Sequence, residues 1–169
     1  MAVIAIFCQR IEADSLKDAG DILQIAVPAY AFGVTCLQKD YEGSKQFAYA
    51  LGSSALTTHA LKVATNEKRP NYKEGDKKRS FPSGHTAGAF LGAAFIHRRY
   101  GFKQAIIPYG FSILTGYSRV QAKKHHVHDV VAGAAISYIC AWIFVSPKSS
   151  ISVSSDEHMT TKIGYEKSF

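Results

Sequence analysis

From Val130 to Pro147 the chain runs 18 residues without a charged side chain. That is the length of a membrane-crossing helix, and a helix buried on every side of a soluble bundle has the same look. The segment from Ile22 to Gln38 comes close to the same pattern. Mean hydropathy over the whole chain is −0.04, low for a protein built mostly of membrane helices, and this favours a soluble or peripheral bundle.

The rest of the chain carries helical signals too. No Asn-Gly or Asp-Gly pair marks a tight hairpin. Gly20-Asp21 has the form of a helix start, with Asp21 as the cap of a helix over Ile22 to Leu37, kinked at Pro28. A second helix is expected from Ser44 to about Thr65, with Phe47, Leu51, Ala55, Thr58 and Leu61 on one face. Asn71 to Phe81 is a polar, basic loop. A third helix runs from Ser83 to about Arg99 and stops at Gly101. A fourth covers Gln104 to Arg119, and a fifth starts near His126 and ends by Pro147. The expectation is an all-α bundle of five or six helices, forming one domain over residues 1–145. A Ser/Thr-rich polar tail, residues 146–169, reads as loop or loosely docked extension.

A net charge of +7 suits an anionic partner. Seven of the cations lie between Lys62 and Arg79, against three acids. Cys8, Cys36 and Cys140 are too far apart for a metal site or redox pair and are expected as buried or semi-buried thiols. Cys8 follows an apolar stretch, but bulky Ile6-Phe7 precedes it and no basic region comes before, so no intact signal peptide is expected.

Three fragments carry chemistry. Pro82-Ser83-Gly84-His85 places a capping serine and a bare backbone at a helix N-terminus, which attracts anions, with His85 in the first turn. By itself it also fits a plain helix cap with a surface histidine. Lys62 and Arg69-Pro70 offer a point charge and a planar fork to phosphate oxygens, or simply two cations suited to a helix C-terminus. Ser118-Arg119 is followed by His125 and Asp129, four apart, so that a carboxylate can hold one imidazole nitrogen and free the other to attack. A surface pair of opposite charge has the same spacing. His126 and His128 bring three histidines and an aspartate into five residues, a set that also fits zinc, although the fixed-spacing fragments account better for His125 and Asp129.

Together, Lys62-x6-Arg69-Pro70, Pro82-Ser83-Gly84-His85 and Ser118-Arg119-x5-His125-x3-Asp129 resemble the signature of the type 2 phosphatidic acid phosphatases. That superfamily also holds bacterial acid phosphatases and vanadium haloperoxidases. The resemblance covers Lys62 to Asp129 and implies an acid phosphatase/vanadium haloperoxidase-like helical fold. It implies a metal-independent phosphatase for monoesters or pyrophosphates, on lipid or cell-envelope phosphates. His125 is then the nucleophile that becomes phosphohistidine, Asp129 orients it, and His85 is the general acid. Lys62, Arg69, Ser83, Gly84 and Arg119 hold the phosphate. No cofactor or metal is needed, because three cations neutralise the developing charge. The partners implied are a phosphorylated small molecule or lipid and a membrane surface, not nucleic acid, in a bacterial cell envelope, periplasmic or membrane-associated. A vanadate-dependent haloperoxidase and a non-catalytic anionic-lipid-binding protein are the alternatives. The former relatives are much longer chains.

Overall fold

The computed structural model describes the backbone of residues 2–76, 78–155 and 161–167, and side chains over residues 14–76 and 78–148. It contains five helices: α1 (Ala2–Leu37), α2 (Tyr41–Thr65), α3 (Gly84–Tyr100), α4 (Phe102–Gln121) and α5 (Val127–Phe144). The chain is thus an all-α bundle with a short two-stranded appendage. Local chemistry sets the helix ends. Asp40 caps α2, accepting a hydrogen bond from the Gly43 N–H at 2.9 Å. Ser83 caps α3, and Gly101, at φ 102°, ends it. Asp129 Oδ2 accepts the His126 N–H at 2.9 Å and so fixes the start of α5.

Helix α3 is the central element and packs against all four others. It is rich in glycine and alanine, and this lets its neighbours come close. A Cβ at Gly92 would lie 2.8 Å from the backbone of Pro28, so α3 takes in the proline of α1 there. A Cβ at Gly133 would lie 2.5 Å from the Ser83 carbonyl oxygen, so α5 presses directly on the cap of α3. Ser137 of α5 donates to the Ala87 carbonyl at 2.6 Å and lies 3.1 Å from Ser54 of α2. Phe47, Phe95 and Tyr100 form an edge-to-face series in the larger core cluster. At this end, away from the α3 N-terminus, Arg99 grips Asp40 through two hydrogen bonds of 2.6 and 2.8 Å. The Arg99 guanidinium, the Gly43 N–H and the Tyr100 hydroxyl together hold the Asp40 carboxyl down to about 2 despite its burial.

Beyond that core, many large apolar side chains point outward while small and polar ones fill interior positions. Ile22, Leu56, Ile107 and Ile143 are 66%, 71%, 70% and 68% exposed, whereas Ser54, Thr86, Ser112, Thr115 and Ser137 are buried. The windows Asp14–Leu37 and Val127–Phe144 are long and apolar enough to cross a membrane, with mean hydropathies of 1.4 and 1.6, yet only 22% and 28% of them is buried. A core helix of a soluble protein would have its apolar face covered. Packing through small residues with an apolar exterior is the pattern of helices in lipid. The soluble reading is therefore corrected to a membrane-associated protein. The whole-chain average misled because the polar loop and tail dilute the helices.

Other expectations also change. Asp21 does not begin a helix, since α1 continues through it and through Pro28. The buried stripe of α2 is Gly43, Phe47, Ala50, Ser54 and Thr58, while Leu51 and Ala55 are exposed. Cys36 is exposed and Cys140 buried, and the Cys8 side chain lies outside the described residues. In the tail, β1 (Ser149–Ser155) and β2 (Thr161–Lys167) pair antiparallel, with Ile151 opposite Tyr165 and Val153 opposite Ile163. The alternation of serine with Ile151 and Val153 is a period-two strand pattern that composition alone conceals.

Candidate active site

The α3 N-terminus, the last turns of α2 and α4, and the start of α5 meet at one end of the bundle. Between them lies a cavity of about 320 Å³ lined by Lys17, Asp21, Lys62, Arg69, Gly84, His85, Arg119, Lys124 and His125. Six of the eight residues singled out in the sequence line it. The other two, Ser83 and Asp129, are fully buried.

His125 is 5% exposed, and its Nδ1 lies 3.3 Å from Asp129 Oδ2. With a carboxylate at Nδ1, the proton sits on that nitrogen and Nε2 keeps its lone pair. The same Oδ2 accepts from the Ser80 hydroxyl at 2.5 Å and the His126 N–H at 2.9 Å, so the orienting carboxylate is itself held in place. Burial, and then the Lys62 charge, push His125 down to about 4, so it is neutral above that pH. A neutral imidazole is the form that can attack phosphorus.

His85 sits in the first turn of α3. Its Nε2 is 2.9 Å from Asp21 Oδ1, which also accepts from Arg119 Nη1 at 2.5 Å. Burial and the Arg119 charge push His85 below the ordinary histidine range, against the pull of Asp21. Arg119 also donates to the Lys17 carbonyl and to Ser118 Oγ. A Cβ at Gly20 would collide with Ser118 Oγ and lie 2.7 Å from Arg119 Nη2, so a glycine in α1 is what admits this guanidinium.

The remaining cations differ in how free they are. Lys62 donates to the carbonyls of Arg79, Ser80 and Pro82 at 3.1, 3.2 and 2.6 Å, fastening the segment that leads into α3. Its charge reaches the cavity while its protons are committed to the backbone. Arg69 Nε is buried with no hydrogen-bond partner, a donor left over for an anion. Ser83 Oγ accepts from the Thr86 N–H and hydroxyl, acting as a helix cap. A Cβ at Gly84 would meet nothing nearer than Thr58 at 4.0 Å, so packing does not require glycine there, and the bare backbone faces the cavity.

Three cavity residues were not anticipated as site residues. Lys17 and Asp21 come from α1, and Lys124 from the loop before α5. Asp21 had a detectable signal. It is a charge within an apolar segment long enough to span a membrane, and such charges mark functional sites.

Comparison with known proteins finds a family and several relatives. Residues 44–148 match the model of the PAP2 superfamily. The lipid A 4'-phosphatase of Helicobacter pylori strain J99 is 32% identical over 139 residues, covering 78% of this chain and 70% of that protein. The lipid A 1-phosphatase of Helicobacter pylori strain 26695 is 30% identical, covering 75% and 66%. The crystal structure of Aquifex aeolicus LpxE superposes with a TM-score of 0.67 at 26% identity, over 79% of this chain and 84% of that one. The chain thus spans about two thirds of the length of these two phosphatases.

Proposed function

The chain belongs to the PAP2 superfamily, and on that premise we propose that it is a metal-independent phosphatase that removes phosphate from a lipid of the bacterial cell envelope through a phosphohistidine on His125. One observation carries the reading: His125, backed by buried Asp129, opens into a cavity lined by five cations at a helix N-terminus. Arg69 and Arg119 offer planar forks, and Lys62, Lys17 and Lys124 add charge. His125 Nε2 attacks phosphorus while His85 protonates the departing oxygen. His85 then takes a proton from the water that hydrolyses the phosphohistidine. The cations stabilise charge spread over the equatorial oxygens.

Two features support a lipid substrate. A second groove, of about 250 Å³, runs between α2 and α3 and shares Lys62 and Gly84 with the cavity. Exposed Leu51 and Ala55 lie along it, beside Ala87 and Gly88, which suits the apolar part of a lipid. The two Helicobacter relatives are themselves lipid A phosphatases by name. The same reading puts the protein in the membrane of the envelope, with its cavity toward the periplasm.

Phosphate release should persist in EDTA and be inhibited by vanadate, which becomes five-coordinate like the in-line transition state. The assay is phosphate release from lipid A, phosphatidic acid and soluble monoesters in detergent micelles. Loss of activity on chelation, restored by zinc or magnesium, would refute the mechanism.

Asp21 sits where substrate phosphate would meet Arg119 and His85. Asp21→Asn should tighten competitive inhibition by inorganic phosphate roughly tenfold or more, because a like charge leaves the cavity. It should also lower kcat, because His85 loses the carboxylate that favours its protonated form. An unchanged inhibition constant would place Asp21 outside the phosphate site.

A further inference from the structure

Beside the phosphate cavity, Glu67, His126, His128 and Asp129 each bring one ligand atom within 4.8 Å of the others. Glu67 lies just past the end of α2, some 60 residues from the rest, so folding alone assembles the group. Tetrahedral zinc with bonds of about 2.0–2.2 Å needs donor-to-donor edges of about 3.3–3.6 Å. Here His128 Nε2 is 2.9 Å from Glu67 Oε1 and 3.1 Å from Asp129 Oδ1, and His126 Nδ1 is 3.7 Å from Glu67 Oε1. All the donor pairs lie within 4.8 Å, so side-chain movements of about an ångström bring the set to these edges.

Two further observations point to a ligand. Asp129 is fully buried, yet its Oδ1 makes no hydrogen bond, because the nearby His128 nitrogen is close but poorly aligned. His126 Nδ1 is likewise buried and without a hydrogen-bond partner. Orphaned buried polar atoms are costly, and a cation between them satisfies both. The His126 and His128 rings are stacked, their centroids 5.0 Å apart with a 9° interplanar angle.

We propose that Glu67, His126, His128 and Asp129 form a binding site for a single divalent transition metal, zinc being the best match to two imidazoles and two carboxylates, and that its occupancy lowers turnover. The site is separate from His125, which uses the other oxygen of Asp129. A cation on Oδ1 draws electron density from the carboxylate and weakens its hold on the His125 N–H. It also ties down Glu67, two residues before Arg69. The effect on turnover rests on the phosphatase reading, whereas the site itself does not.

The test uses the full chain in detergent micelles, stripped with a chelator and then titrated with zinc against a chromogenic chelator at pH 7.5. One equivalent should bind, and neither magnesium nor calcium should displace it. Glu67→Gln with His128→Ala should weaken binding at least tenfold. X-ray absorption of the zinc-loaded native protein should show two nitrogen and two oxygen neighbours near 2.0–2.2 Å. No stoichiometric binding, equal affinity in the double variant, or a different first shell would overturn the site. Zinc should reduce native phosphate release and spare the double variant. Equal inhibition of both would overturn the regulatory role and leave the site standing. Zinc binding to a protein with no phosphatase activity on any substrate would instead count against the phosphatase reading alone.

Discussion

Replacing His125 by glutamine is expected to abolish turnover and the covalent phosphoenzyme together. Glutamine keeps polarity and approximate size but has no nitrogen lone pair with which to attack phosphorus. The neighbouring cations and the α3 N-terminus remain, so substrate binding should largely survive while kcat collapses. The loss should be on the order of 10⁶-fold, the scale observed when a covalent nucleophile is removed from a hydrolase. The decisive measurement is trapping of labelled protein under alkaline quench, because phosphohistidine is acid-labile. Labelled protein persisting in the variant would assign the nucleophile to another residue. His125 is buried beside Asp129 and Lys62, so a fold check by circular dichroism must accompany the kinetics.

The second large effect belongs to His85, and the leaving group reveals it. His85→Ala should cost roughly 10²–10⁴-fold with an alkyl phosphate, the usual range for general acid catalysis. The cost should shrink with a nitrophenyl phosphate, whose leaving group needs little protonation. If His85 also activates the water that clears the intermediate, the phosphoenzyme should accumulate in this variant. Single-turnover phosphorylation decides the matter. An equal loss on both substrates would make His85 a binding residue only. The pH profile adds a second check, best recorded in EDTA. His125 must be neutral, which holds above about 4 in the free protein. His85 must be protonated, which holds below its own lowered value. The kcat/KM profile should therefore be bell-shaped with an acidic optimum, its limbs belonging to the coupled pair. In the kcat profile both limbs should move to higher pH, because bound phosphate adds negative charge beside both rings.

Much of this was legible because it is local. Caps such as Ser83, the stop at Gly101 and the four-residue spacing of His125 and Asp129 are written in neighbouring residues. What escaped depends on where distant segments meet. Asp21 looked like a cap because it follows a glycine and precedes an apolar run, yet Gly20 is there to let Arg119 approach. Glu67 gave no sign of joining His126 and His128, since it belongs to none of the fragments that tie Lys62 and Arg69 to His125. On α2 the expected face was right at Phe47 and Thr58 and wrong at Leu51 and Ala55, because a spacing of three and four was taken to mark the interior. Where the exterior is apolar too, that spacing does not separate inside from outside, and the small residues Gly43, Ala50 and Ser54 complete the buried stripe.

The apolar girdle around the bundle changes what substrate concentration means for this protein. In the membrane placement proposed above, exposed Ile22, Ile107 and Ile143 face acyl chains, with the cation-lined cavity at one end of the same bundle. A phosphorylated lipid then arrives by lateral diffusion in two dimensions and not from bulk water. The relevant variable is its mole fraction in the surface. Adding inert lipid at a fixed total amount of substrate thins the surface population and slows encounter, although nothing in the aqueous phase has changed. On that placement, saturation is a property of membrane composition.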